Sequence, residues 1–197
     1  MTRIRVVGED LLCCALGERL VAAGLPRWDL AGESINTHGV TKLVTALPRY
    51  MQLAANVQAV LCIADSDHAC VKTLREQWLP SAPPRRFLLR IAVSEAESWV
   101  LADREATAAF FGVAAKHVPD RPEEVPDAKR TVLQLARLSK HRQLREEMVS
   151  ALDIHKAGSG YNLHLCRLVS TVWQPQRAAG RSDSLRRALT RVADLGA

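Results

Sequence analysis

Two aspartates follow a long apolar run in the middle of the chain. The run covers residues 57–64, Val-Gln-Ala-Val-Leu-Cys-Ile-Ala, and the next three residues are Asp65, Ser66 and Asp67. A run of this kind is typical of a strand buried on both faces of a parallel sheet. Ligand sites of such sheets form at the carboxyl ends of the strands, where two carboxylates suit a hard cation such as Mg²⁺. The alternative is that Asp67 caps the following helix and Asp65 is a polar loop residue.

Other acids follow two further predicted strands. Glu9 and Asp10 come after the first of them, and Glu95 and Glu97 come after the last. If the strands are parallel neighbours, right-handed crossovers bring their carboxyl ends, and therefore these acids, to one edge of the sheet. Unpaired like charges that lie close together repel each other, so a divalent cation is the natural reason to gather them. The sequence therefore predicts a carboxylate site at this edge.

Apolar and turn patterns predict strands alternating with helices, followed by helices alone. This order indicates an α/β fold with a mostly parallel sheet flanked by helices, and a helical C-terminal region. We divide the chain into an α/β domain over residues 1–112 and a helical, basic region over residues 113–197 that packs on it. The predicted strands cover residues 4–7, 28–36 (weakly), 57–64 and 87–93, and the predicted helices cover 9–23, 41–57 (interrupted by Pro48), 67–79, 98–111, 127–138, 141–152, 161–172 and 184–195.

The composition suits a soluble globular chain, since 48% of its 197 residues are hydrophobic and 24% are charged. We find no run of about 18 apolar residues and no apolar core of a signal peptide, which predicts a cytoplasmic protein without membrane contact. Five cysteines, an odd number scattered along the chain, favour reduced thiols. His68 and Cys70 lack the second ligand pair that a zinc site needs. The sequence leaves the oligomeric state open, a homo-oligomer included.

Positive charge is concentrated in the second part of the chain. Residues 127–197 contain 13 Lys and Arg against 6 Asp and Glu, and the whole chain has a net charge of +6. This surface suits a polyanion, and Arg181, Arg186 and Arg187 could follow a phosphate backbone. Lys156 opens a Lys-Ala-Gly-Ser-Gly segment whose glycines could bring backbone N–H groups to a phosphate. The alternatives are a solvated arginine face and a flexible turn between helices.

Short motifs in the chain resemble the Toprim fold of topoisomerases, primases and OLD-type nucleases. A glycine-ended first strand with an acid nearby and an Asp-x-Asp after the third strand are the first of them. Residues 95–103, Glu-Ala-Glu-Ser-Trp-Val-Leu-Ala-Asp, resemble the E-x-E-x-W-x-L-A-D stretch of a family of bacterial Toprim-like proteins. Pro-Asp-Ala-Lys at residues 126–129 is also similar to that family. The resemblance covers roughly residues 3–195, and members of the family are often encoded beside an AAA-type ATPase in settings that suggest phage defence.

The resemblance implies a nuclease that depends on a divalent metal ion. It implies Mg²⁺ or Mn²⁺ held by Asp65, Asp67 and Glu97, with Glu95 close by. The implied reaction is hydrolysis of a phosphodiester bond in a nucleic acid, above all DNA, in phage defence or DNA repair. It also implies an ATPase as a protein partner.

One position departs from the family pattern. The first strand of the family usually ends in Glu-Gly, which would place a glutamate at position 7, whereas this chain has Val7, Gly8 and Glu9. Glu9 could substitute as a catalytic and metal-binding residue, or the catalytic acid could be lost. Lys129 or Lys156 could supply a positive charge near the scissile phosphate.

Two alternatives to a nuclease stay open from the sequence. The chain could be a non-catalytic Toprim-like module that binds an ATPase, with Val7 marking the loss of the first-strand acid. It could instead be a sugar-nucleotide transferase that uses the Asp-Ser-Asp segment as its metal motif. Transferases of that kind usually need a longer chain, which places this alternative last.

Overall fold

The sheet is parallel at every strand pair that the structure describes, as the strand pattern predicts. The structure is a computed structural model that describes residues 2–196. The strand order is β2-β1-β4-β5, and β3 shares with β2 one edge of β1. Residues 59–64 of β4 are all buried, which explains their unbroken apolar sequence. The strands are β1 Arg3–Gly8, β2 Asp29–Leu30, β3 Ile35–Asn36, β4 Ala59–Asp65 and β5 Phe87–Ala92.

Helices cover both faces of the sheet, and helices alone follow β5. This arrangement confirms the predicted α/β fold with a helical C-terminal region. No helix within residues 2–196 is long and apolar enough to cross a membrane. The helices are α1 Leu11–Gly24, α2 Val40–Asn56, α3 Val71–Trp78, α4 Ala96–Ala102, α5 Arg104–Phe111, α6 Ala128–Leu138, α7 Arg142–Met148, α8 Tyr161–Thr171, α9 Pro175–Ala178 and α10 Asp183–Ala193, with short 3₁₀ turns at Ala115–His117, Pro122–Glu124 and Asp194–Gly196.

Several predicted element bounds are wrong, each for a local reason. The weak strand over residues 28–36 is two strands of two residues, separated by a bend in which Gly32 has a φ of +87°. The helix predicted over residues 141–152 ends at Met148, because the chain turns there into a loop closed by a bridge between Val149 and Ala157. The helix predicted from residue 67 begins only at Val71.

The helix predicted over residues 98–111 is broken in two at Asp103. The Asp103 carboxylate accepts a hydrogen bond from the Ala106 N–H, so Asp103 is the N-cap of α5. Although Asp103 is fully buried, it also accepts from the backbone N–H of Gln174 and binds Arg177 through both oxygens at 2.8–2.9 Å. Asp103 therefore joins the corner between α4 and α5 to the C-terminal helices.

Two apolar clusters lie on opposite faces of the sheet. The smaller one packs α2 and α3 against side chains such as Val7, Val60 and Phe87. The larger one joins α1 and α4 to the helices that follow residue 112. Trp99 and Trp173 are fully buried in it, as predicted for core residues, and the Trp173 indole N–H donates to the Trp99 carbonyl at 3.0 Å. The C-terminal helices therefore pack directly on the sheet, and the boundary at residue 112 stays a prediction.

Candidate functional site

The carboxyl ends of β1, β4 and β5 meet at one edge of the sheet. The register pairs Gly8 with Ile63 and Asp65 with Ala92 across the neighbouring strands. The acids that follow these strands are therefore brought together, as the parallel order predicts. We call this the acidic edge; its members are Glu9, Asp10, Asp65, Asp67, Glu95 and Glu97.

The first strand places Glu9 against Asp65. The Glu9 N–H donates to the Ile63 carbonyl at 3.0 Å, and one Glu9 carboxylate oxygen accepts from the Asp65 N–H at 3.1 Å. Asp10 caps α1 by accepting from the Cys13 N–H at 2.8 Å. This tight strand-to-helix connection needs Gly8, because a Cβ there would lie 2.5 Å from the Cys14 nitrogen. Glu9 therefore points at the acidic edge, two positions after the place where the family carries its glutamate.

The segment from Asp65 to Asp67 continues the backbone ladder beyond β4. The buried Ser66 hydroxyl accepts from the Ser94 N–H at 2.8 Å, and the Asp67 N–H donates to the Ser94 carbonyl at 2.9 Å. Asp67 is exposed, and its carboxylate accepts no hydrogen bond from within residues 2–196. The N-cap of α3 is Cys70, so the interpretation of Asp67 as a helix cap is wrong.

Three residues other than glycine in these two loops have a left-handed backbone. The φ angles are +44° for Asp67, +64° for His68 and +62° for Ser94. Such conformations cost on the order of 1 kcal/mol or more each and cluster at functional sites. The ladder that Ser66 forms with Ser94 holds them in place. This strain is a reason, independent of charge, to propose a function for the acidic edge.

The start of α4 contributes Glu97, which the C-terminal helices hold in place. Glu97 is buried, and one of its oxygens accepts from the Tyr161 hydroxyl at 2.9 Å. Glu95 accepts from the Lys129 backbone N–H at 2.8 Å, and the Lys129 Nζ lies 5.5 Å from the centre of the Tyr161 ring. The first turns of α6 and α8 therefore face the acids, which the partial positive charge of a helix N-terminus favours.

The acids raise one another's pKa. The pKa of Asp65 is well above its ordinary value because the group is buried and because Glu97, Glu9, Asp10 and Asp67 repel its charge. All four of these charge influences come from carboxylates, so Asp65 lacks a compensating cation among its main neighbours. The edge therefore has a local excess of negative charge that a bound cation would relieve.

The pKa values of the two glutamates that flank Asp65 are raised as well. Burial, with a smaller effect of the Glu95 charge, raises the pKa of Glu97 to about 7 against the opposing effect of the Tyr161 hydroxyl. Burial also raises the pKa of Glu9, against the effect of the Asp65 N–H, which stabilises the charged form. Both groups would lose their protons more readily beside a divalent cation.

The donor set of the acidic edge fits a hard divalent cation. Glu9, Glu95 and Glu97 each use one oxygen for a hydrogen bond and leave the other for a further ligand. Carboxylate oxygens are the ligands that Mg²⁺ and Mn²⁺ favour. Within residues 2–196 no three His, Cys, Asp or Glu side chains already converge as a metal-binding group. A cation there would therefore have to draw the free oxygens together.

The residues predicted to bind nucleic acid are ion-paired at the surface. Arg181 binds Glu105 through two hydrogen bonds, and both Arg186 and Arg187 bind Asp183. These contacts are exposed pairs, which contribute little to stability and leave the arginines accessible. A role for them in binding nucleic acid stays a prediction.

The glycine segment before α8 is a structural turn. Its glycines donate their N–H groups to the end of α7: Gly158 to the Met148 carbonyl and Gly160 to the Glu147 carbonyl, both at 2.9 Å. These amides are therefore not free to bind a phosphate. Lys156 is exposed in this turn and lies 3.6 Å from the Asp153 carboxylate, so its predicted role rests on its side chain alone.

Two contacts of the edge have no signal in the sequence. The Cys13 thiol lies 3.8 Å from an Asp65 carboxylate oxygen, and the Tyr161 hydroxyl reaches Glu97 across 64 positions of the chain. Cysteine at the start of a helix and tyrosine after a glycine turn both look like ordinary packing residues. Only the parallel register and the docking of α8 bring them to the acids.

Comparisons with family models, with curated proteins and with solved structures give no significant match for this chain. The Toprim resemblance therefore stays a prediction that rests on the short motifs. The geometry of the acidic edge is an independent basis for proposing a function.

The raised pKa of Glu97 predicts how the stability of the metal-free protein depends on pH. A carboxyl group whose pKa is raised by folding adds most stability below its unfolded value, and this contribution is lost as pH rises through the folded value. For Glu97 these values are 4.5 and about 7. We expect Glu97→Gln, which can still accept from Tyr161, to gain about 2 kcal/mol relative to wild type between about pH 5 and pH 8.

Urea denaturation of both proteins in EDTA at these two pH values measures this difference. Glu105→Gln is the control, because Glu105 is exposed, bound by Arg181, and has a lowered pKa. An equal response of wild type and Glu97→Gln to pH would show that Glu97 is charged throughout the range.

Proposed function

We propose that this chain is a divalent-metal-dependent phosphodiesterase that acts on nucleic acid. The observation that carries the proposal is the gathering of carboxylates from three separate segments around Asp65, with acids as its main charge influences. Proteins keep such groups together where a cation neutralises them. Phosphodiester hydrolysis is the chemistry that such oxygen sites most directly support.

The carboxylates of the acidic edge would act together as ligands of the cation. Glu9 contacts the Asp65 backbone, Asp67 is exposed, and Glu97 is buried and bound by Tyr161. Glu95 is the outer member. These carboxylates would hold Mg²⁺ or Mn²⁺, which would lower the pKa of a bound water and neutralise charge on the leaving oxygen.

The ammonium group of Lys129 could bind a substrate phosphate beside the carboxylates. Its side chain is exposed, and its Nζ lies beside the Tyr161 ring, whose hydroxyl binds Glu97. A substrate phosphate that met the acidic edge would thus lie next to a positive charge. Such a charge stabilises the extra negative charge that develops as the phosphodiester bond breaks.

Glu9 supports a catalytic function despite the valine at position 7. Val7 is fully buried in the apolar cluster beneath α2, where a carboxylate would be costly. Glu9 reaches the Asp65 N–H from the next turn and so places a first-strand acid at the edge. The ATPase partner and the role in phage defence or DNA repair stay predictions from the resemblance.

The proposal is tested by metal binding and by cleavage. We expect calorimetry to detect Mn²⁺ binding, and we expect labelled single- and double-stranded DNA and RNA to be cut only when Mg²⁺ or Mn²⁺ is present. Glu9→Gln should weaken both, whereas Glu33→Gln, an exposed acid away from the edge, should change neither. If the wild-type protein binds no Mn²⁺ and cuts no substrate, the non-catalytic binding module becomes the better proposal.

A further inference from the structure

Four arginines gather at the open side of β5, away from the acidic edge. Within residues 2–196, β5 pairs only with β4, so its other side is a sheet edge. Arg90 lies on this strand, and Arg75 on α3 and Arg187 and Arg191 on α10 are close enough to repel its charge. We call these four residues the arginine cluster.

The helix α10 is held so that its arginines run alongside β5. The Ser184 hydroxyl accepts from the Trp99 indole N–H at 2.7 Å and from the Val93 N–H at 3.4 Å. Ser184, Arg187 and Arg191 share one flank of the helix, because they are three and four positions apart. Arg191 lies about 10 Å along the helix from Ser184, and Arg90 lies about 10 Å back along the strand from Val93.

The guanidinium groups of the cluster have few acceptors. The Arg90 Nε is buried and has no hydrogen-bond partner within residues 2–196. Arg187 and Arg191 pair only with exposed acids of their own helix and its end, Asp183 at 3.1 Å and Asp194 at 3.5 Å. An unsatisfied buried polar group of this kind is unfavourable, and more so when it is charged.

Arg90 has neighbours of its own positive charge, as Asp65 has neighbours of its own negative charge at the acidic edge. Burial, together with the like charges of Arg75, Arg191 and Arg187, lowers the pKa of Arg90 to about 10. No acid is among these influences. An oxyanion would satisfy the free donors and relieve the repulsion at the same time, and the planar guanidinium fork matches a phosphate group.

We propose that the arginine cluster binds a phosphate group of the nucleic-acid substrate, as a contact separate from the acidic edge. The choice of a nucleic-acid phosphate, rather than free phosphate, rests on the proposed function. Asp65 pairs with Ala92, so Arg90 lies two positions, about 7 Å along the strand, from the level of Asp65. One nucleic-acid strand that passes over β5 contacts both sites.

Binding of a fluorescein-labelled DNA strand in EDTA, measured by anisotropy, tests the cluster without metal or cleavage. We expect Arg90→Gln to weaken binding about tenfold or more and Arg75→Gln to weaken it severalfold, with a salt dependence lower by about one charge per arginine. Arg137→Gln, at an exposed position of α6, is the matched control and should stay within about twofold of wild type.

Arg75 is partly exposed, so the Arg75→Gln variant should fold even if the Arg90→Gln variant does not. DNA binding by Arg75→Gln and Arg90→Gln that equals the control overturns it. Self-association of these variants with unchanged DNA binding would instead show that the arginines protect the open edge of β5. If inorganic phosphate raises the melting temperature of wild type but not of the two arginine variants, and all three bind DNA equally, free phosphate is the ligand. If the wild-type protein binds DNA through these arginines but shows no Mn²⁺-dependent cleavage, the proposed function is refuted and the role of the arginine cluster is not.

Discussion

We expect Asp65→Asn to lower metal-dependent cleavage by at least about 10²-fold, the usual scale for removing one electrostatic contact from a transition state. The same change should stabilise the metal-free protein at neutral pH and raise its melting temperature. Both effects have one cause. Asp65 is largely buried among four other carboxylates, so its charge is unfavourable until a cation is bound. The amide keeps the shape of the side chain and removes that charge.

Thermal melts in EDTA and in Mn²⁺, together with cleavage rates, measure the two effects. Asp29→Asn is the control, because Asp29 is an exposed acid on β2, opposite Arg3 in the strand register and at the amino end of β1. It should change neither quantity. A loss of stability in EDTA for Asp65→Asn would mean that hydrogen bonds to the carboxylate outweigh the repulsion, and the account of the acidic edge would be wrong.

The sheet and the position of the central acids could be predicted because their signals are local. The apolar run of β4 reports burial on both faces, and Asp65 ends that run in the chain itself. Parallel strand order then requires the acids after β1 and β5 to share the same edge. Glu9 reaches this edge through its contact with the Asp65 N–H, and its role as the first-strand acid stays a prediction.

The remaining features depend on contacts between distant parts of the chain. Arg90 is one basic residue in an apolar strand, and its sequence does not show that α10 will bring two further arginines beside it. Asp67 looks like a helix cap because it lies shortly before a helix, yet the left-handed backbone at Asp67 and His68 delays that helix to Val71. Tyr161 meets Glu97 only after α8 has docked.

The stretch from Glu95 to Asp103 connects the acidic edge to the helical region. Glu97 faces the edge and binds Tyr161, Trp99 binds Ser184 at the start of α10, and Asp103 binds Arg177 of α9. Residues of this short segment thus both form the site and attach it to the C-terminal helices. The helices that hold Glu97 and the arginine cluster are fixed through the same few residues, which makes Asp103 the most sensitive of them.

We expect Asp103→Ala to destabilise the protein by about 3–5 kcal/mol, the scale expected for losing a helix N-cap together with buried hydrogen bonds to a charged group. The change removes the N-cap of α5, the acceptor for the Gln174 N–H and both bonds to Arg177. Asp103 is fully buried, so water does not replace these partners in the folded state. For a chain of this size the melting temperature should fall by roughly 10 °C.

Asp120→Ala is the matched control for this loss. Asp120 also pairs with an arginine, Arg104, but its side chain is 74% exposed, and we expect a cost below about 1 kcal/mol. The double variant Asp103→Ala/Arg177→Met should be more stable than the sum of its single changes, because neither charge is then left without its partner. Equal costs for Asp103→Ala and Asp120→Ala would mean that apolar packing alone attaches the C-terminal helices. In that case the position of Glu97 would depend on Tyr161 and α8 rather than on the Asp103 corner.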